Sequence, residues 1–70
     1  MVTESPSERL GQNIKRIREK KGMTQGDLCR ACELDRAYVS NLEAGKKNPT
    51  LATIGRVATV LKVEMKELVT

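Results

Sequence analysis

Seventy residues suffice for one domain and no more, and thirteen Lys and Arg against nine Asp and Glu leave a formal net charge of +4. With no histidine, the chain lacks the commonest metal ligand and the usual general base, and two cysteines cannot supply a four-ligand zinc site. No apolar run approaches the ~20 residues of a membrane span and no secretory leader is evident, so a cytoplasmic, metal-free and cofactor-free protein held together by helix packing is expected.

Residues 1–5 read as a flexible N-terminus ahead of a domain over residues 6–70. Ser5-Pro6-Ser7-Glu8 then marks a helix start, with Ser5 as N-cap, Pro6 in the first helical position and Glu8 closing a capping box. Leu10, Ile14 and Ile17 follow as one apolar stripe, and Gly22 supplies the left-handed stop, which predicts a first helix over about residues 6–21. Bases crowd on its second half as Lys15, Arg16, Arg18, Lys20 and Lys21, a run that by itself points to nucleic acid only weakly.

Thr24 opens a second helix and Asp27 completes its capping box; Leu28, Ala31 and Cys32 are its expected inward face. The pair Cys29 and Cys32 forms a C-x-x-C, but redox use of that motif wants a strand before it and a helix after it, so small buried thiols are expected instead. After a break at Glu33-Leu34, Asp35 can cap a third helix from Arg36 to Ala44, in which Val39 and Leu42 point inward and Gly45 marks the stop. Lys46-Lys47-Asn48-Pro49 is a polar loop. Thr50 caps a fourth helix with Leu51, Ile54, Val57, Ala58 and Leu61 on its apolar face, and a short fifth carries Met65, Leu68 and Val69. No segment alternates with period two over a strand length, so the fold class is all-α with five helices.

The informative stretch is Gln25 to Ala44, two helices about three residues apart, the spacing of a helix-turn-helix. Cys29 is small enough for a close crossing of the two. With Val39 and Leu42 inward, Arg36, Ala37, Ser40, Asn41 and Ala44 form one outward ridge. Its chemistry suits base edges: Arg36 can donate twice to guanine, Asn41 can pair with adenine, Ser40 can take either role, and Ala37 can touch a thymine methyl. Ordinary surface residues on an ordinary helix are the competing reading of the same side chains.

The segment MTQGDLCRACELDRAYVSNLEAGKKNPTLATI resembles the phage repressor and Cro type of helix-turn-helix domain, often called XRE-type. The likeness runs from Arg18 to Leu68; its motifs are T-Q at the head of the second helix and S-x-L-E-x-G-K-x-x-P through and after the third. Within that family, D-R-x-Y-V-S is similar to the controller proteins of restriction–modification systems. The resemblance implies sequence-specific binding of double-stranded DNA, with phosphate contacts from Gln25, Lys46, Lys47 and Asn48. Tyr38 would reach a phosphate with its hydroxyl or pack across the helix flank. It also implies that Arg18 and Glu43 pair as a structural tie and that Gly45 is a structural, left-handed helix end. Two positions depart from the family pattern, since Glu33 and Lys62 stand where glycine is usual.

One recognition helix reads too few base pairs for selectivity in a genome, so a homodimer on a palindromic operator is the expected partner arrangement, with Met65, Leu68 and Val69 as candidate dimer contacts. Leu68 reads equally as part of the domain's own core. No small-molecule effector is evident. The alternative function is an antitoxin or protein-bridging module of the same fold, against which the want of a tail counts. No acid–base constellation points to an enzyme.

Overall fold

Helices in this chain begin at side chains able to accept a free backbone N–H and end at residues able to turn left-handed. A computed structural model describes residues 4–70 and places five helices there: α1 (Pro6–Lys20), α2 (Gln25–Cys32), α3 (Arg36–Glu43), α4 (Leu51–Leu61) and α5 (Met65–Val69), with no strand among the described residues. Of the N-terminal residues expected to be flexible, 1–3 lie outside the described residues, while Ser5 is tied down by α1. Its hydroxyl accepts from the Glu8 N–H at 3.1 Å, and the Glu8 carboxylate accepts from the Ser5 N–H at 2.9 Å. Thr24 and Asp27 repeat this box at α2, at 3.0 and 2.9 Å. The backbone hydrogen bond from Thr24 holds the Asp27 carboxyl below its ordinary range. Asp35 precedes α3 in the cap position, but its side chain makes no capping hydrogen bond, a correction to the sequence reading.

The four longer helices share one way of ending. Met23, Leu34, Lys46 and Val63 each donate a backbone N–H to the carbonyl five residues back, and the residue before each of these four has positive φ: Gly22 at 73°, Glu33 at 58°, Gly45 at 79° and Lys62 at 59°. This is the Schellman closure, in which the left-handed residue lets the chain turn back to satisfy a free carbonyl. Glycine adopts that conformation without strain. Glu33 and Lys62 adopt it at a cost of about 1 kcal/mol each, so both turns form without glycine.

The core is one cluster to which every helix contributes, centred on Ile14, Leu28, Val39, Leu42, Val57, Leu61 and Leu68. α1 packs on α3 and α5, α2 on α3 and α4, and α4 on α5. Two expected core positions prove exposed. Ala31 lies one residue from Cys32, about 100° round the helix, and misses the buried face. Leu51, 74% exposed, sits in the first turn of α4, ahead of the first buried position of that helix at Ile54.

Gly11 explains how α1 can approach the end of α3 so closely. A Cβ built on it would lie 2.4 Å from the Leu42 carbonyl oxygen and 2.7 Å from that of Glu43, and backbone atoms in a helix cannot swing aside. In an isolated helix Gly→Ala is worth about 1 kcal/mol of stabilisation. Here overpacking, typically ~1–3 kcal/mol, outweighs it. Gly11→Ala should therefore lower the urea midpoint; an increase would contradict the close crossing.

Candidate nucleic-acid interface

The α2–turn–α3 unit is set by what α3 turns inward. Val39 is fully buried and Leu42 is 1% exposed, while Arg36, Ala37, Ser40 and Ala44 are exposed and Asn41 is half-buried. The outward ridge read from the sequence is thus the free face of α3. Arg36 differs in detail, because its guanidinium lies back over the first turn of α2. A Cβ on Gly26 would stand 3.9 Å from Arg36 Nη1 and 3.3 Å from Arg30 Nη1. To meet a base edge, Arg36 has to swing out through its own rotamers, which exposure permits.

Beneath the ridge lies a buried charge cluster. Arg18 donates from Nε to Glu43 Oε2 at 2.6 Å and from Nη2 to Glu43 Oε1 at 3.0 Å, a bidentate pair whose side chains are 8% and 3% exposed. Arg18 Nη1 reaches the Met23 carbonyl at 2.7 Å, and Gln25 Nε2 donates to Glu43 Oε1 at 3.0 Å. The Arg18–Glu43 pair therefore joins α1, the turn after it, α2 and α3. The hydrogen bond to Glu43 raises the Arg18 pKa above its ordinary value, and no buried side-chain N or O among the described residues lacks a partner. Glu43, out of place on a phosphate-facing surface if exposed, is instead withdrawn and neutralised.

Around the ridge, Lys46, Lys47 and Asn48 are exposed in the loop after α3. Tyr38 is half-buried against the core, and Lys47 Nζ stands 5.5 Å from its ring centroid, a cation–π contact on the flank of α3. Gln25 sits in the first turn of α2 with its amide turned in to Glu43, and the second N–H of that amide is left for another acceptor. Gly45, at φ 79°, leaves no room for a side chain, since a Cβ there would lie 2.7 Å from Glu8 Cγ.

Three positions the sequence reading passed over hold this arrangement. Gly11 admits the backbone of α3. Asn13 donates from Nδ2 to the Leu68 carbonyl at 2.9 Å and fastens α5 to α1. Arg56 donates from Nη1 to the Cys32 carbonyl at 3.1 Å and closes the end of α2. A glycine inside an apolar helical stripe was the legible signal for the first, and a lone charge on an otherwise uncharged α4 for the last. At the other end of the fold, Leu68 is fully buried, so it is a core residue and not a dimer contact. Met65 and Val69 remain 37% and 55% exposed.

Residues 14–68 match the protein family described as helix-turn-helix. The chain belongs to the helix-turn-helix family. It is a DNA-binding transcriptional regulator of that type. Among its relatives is the uncharacterized HTH-type transcriptional regulator y4dJ of Sinorhizobium fredii, 39% identical over 61 residues that span 87% of this chain and 79% of that protein. The restriction-modification controller protein C.AhdI from Aeromonas hydrophila superposes with a TM-score of 0.84 at 38% identity, over 87% of this chain and 92% of that one. SinR, the master regulator for biofilm formation, solved in complex with DNA, superposes with a TM-score of 0.82 at 29% identity, over 87% of this chain and 98% of its own. Among the described residues of this helix-turn-helix protein, no helix is long and apolar enough to cross a membrane.

The two cysteines take up no part of this surface. Cys32 is fully buried and its thiol is pushed up by burial; Cys29 is half-buried, with Sγ 3.2 Å from the Gly26 carbonyl oxygen. Because the thiolate is the reactive form, iodoacetamide at neutral pH should alkylate Cys29 well before Cys32 in the folded protein, and both alike in urea. Equal rates without denaturant would contradict the packing of α2.

Proposed function

We propose that this regulator binds a palindromic operator as a homodimer in the cytoplasm, acting by recognition alone and without catalysis. In this reading residues 6–70 form the binding domain. Arg36, Ala37, Ser40 and Asn41 read base edges in the major groove, and Gln25, Tyr38, Lys46, Lys47 and Asn48 take the phosphates on either side. The observation that carries the reading is the division of α3: Val39 and Leu42 are buried, while Arg36, Ala37 and Ser40 are exposed beside a half-buried Asn41, a ridge short-chained apart from Arg36. A short-chained ridge lets the helix axis approach the groove floor, where each bidentate pair discriminates by ~1–3 kcal/mol. The loop lysines contribute affinity that depends on salt and not on sequence.

Dimerisation rests on a different surface. Met65 and Val69 of α5 are apolar and exposed, and two domains joined there would present two recognition helices to half-sites one helical turn apart. Leu51, also large, apolar and exposed among the described residues, adds to the apolar surface that such a contact could cover.

Selection of fragments from a random DNA pool should return a two-fold symmetric site. On that site Asn41→Ala should cost about 1–3 kcal/mol and relax preference at particular base pairs. Lys46→Ala should weaken all sequences alike and reduce the salt slope by about one. Identical losses on selected and random DNA for both variants would contradict the base-reading assignment, and a single bound monomer on the symmetric site would contradict the dimer.

A further inference from the structure

A groove of about 350 Å³ lies along the second half of α1, lined by Arg16, Ile17, Lys20 and Lys21 together with Val63, after α4, and Glu67 of α5. Its apolar part is the buried side chain of Ile17 and the half-buried Val63; its cations, Arg16, Lys20 and Lys21, are exposed. None of these three cations is in an ion pair among the described residues. Arg16 makes one long hydrogen bond, 3.4 Å to Asn13 Oδ1. The sole carboxylate in the wall, Glu67, is engaged at the start of its own helix, accepting the Glu64 N–H at 3.1 Å. The groove is thus apolar inside and cationic at its rim, with three cations against the one carboxylate of Glu67.

Its place on α1 separates it from the DNA-reading surface. Gly11 and Arg18, seven residues apart and so nearly in line along the helix, face α3. Arg16 and Lys20 each lie two residues from Arg18, about 200° around the axis in opposite senses, which puts both on the far flank of α1. Both therefore point away from the side of α1 that packs on α3.

We propose that this groove docks an acidic, amphipathic peptide segment of a partner protein, whose carboxylates meet Arg16, Lys20 and Lys21 while an aliphatic side chain covers Ile17 and Val63. Charge complementarity selects an anion, and the apolar floor selects a peptide over a bare phosphate chain. The domain would then hold DNA on α3 and a protein on α1 at once. This surface is independent of the operator reading, and the two are tested apart.

The probe is a fluorescein-labelled peptide of repeated Glu-Glu-Leu, with a Gln-Gln-Leu counterpart, titrated into the full chain by anisotropy and by amide NMR. The acidic peptide should bind, shifting the amides of Ile17, Lys20, Lys21 and Val63 and leaving those of α3 in place; the glutamine peptide should not bind. The double variant Arg16→Glu/Lys20→Glu should weaken peptide binding about tenfold, as expected for two exposed ion pairs lost and reversed. The two reversals also take the net charge from +4 to 0, so affinity for duplex DNA should fall at physiological ionic strength by much less than affinity for the peptide. The peptide pair needs no variant to fold, so the proposal stays exposed to refutation if the double variant is unstable. Absence of binding, equal binding of both peptides, shifts centred on α3, or groove amides that respond to random duplex DNA and not to the peptide would each overturn it.

Discussion

The orientation of α3 depends on one buried contact, the bidentate pair between Arg18 and Glu43. Apolar side chains hold α3 against the core, but apolar packing is non-directional and tolerates small rotations. A guanidinium and a carboxylate joined by two hydrogen bonds do not, and here the same carboxylate takes a third bond from Gln25 and the same guanidinium a bond to Met23. Burying two charges costs several kcal/mol each, and their attraction returns that only with complete hydrogen bonding, which this cluster has. Its value to the fold lies more in fixing an angle than in net stability. Gly11 completes the constraint, because the pair can form at this length only if the backbones of α1 and α3 come together.

From that constraint the surfaces follow. With Glu43 drawn in to Arg18, the face of α3 carries no acid among its outward side chains, and the loop beyond it presents Lys46 and Lys47. The large exposed apolar side chains among the described residues fall on α4 and α5, and two unpaired cations of α1, Arg16 and Lys20, fall on its far flank. A chain of this size has a small core and little margin in stability. It nonetheless accepts left-handed Glu33 and Lys62, at about 1 kcal/mol apiece.

Much of this was legible in the residues. Capping boxes at Ser5 and Thr24 and stops at Gly22 and Gly45 mark the helices because each satisfies a backbone group that otherwise has no partner. The ridge on α3 was legible for the same reason, since Val39 and Leu42 can only be on the side that buries them. Where the reading went astray, the cause was tertiary. Periodicity placed Ala31 and Leu51 inside, but a stripe does not say where the neighbouring helix stops, and both lie past the edge of what covers them. Asp35 has the right chemistry for a cap without the hydrogen bond. Leu68 was open to two readings that only the packing of α5 on α1 separates. Gly11 and Arg56 each stand out in their helices, but the distant backbone carbonyls they meet are set by tertiary packing and are not written in the local pattern.

The most direct measurement is a double-mutant cycle on the buried pair, with Arg18→Met, Glu43→Leu and the two together, read by urea unfolding and by affinity for the selected duplex. Each single variant strands one buried charge, worth about 3–5 kcal/mol, whereas the double variant strands none. The predicted result is a doubly substituted chain more stable than either single variant, yet weaker on DNA than the parent because α3 has lost its fixed angle. Additive losses in stability, or a double variant that grips its operator as the parent does, would contradict the account.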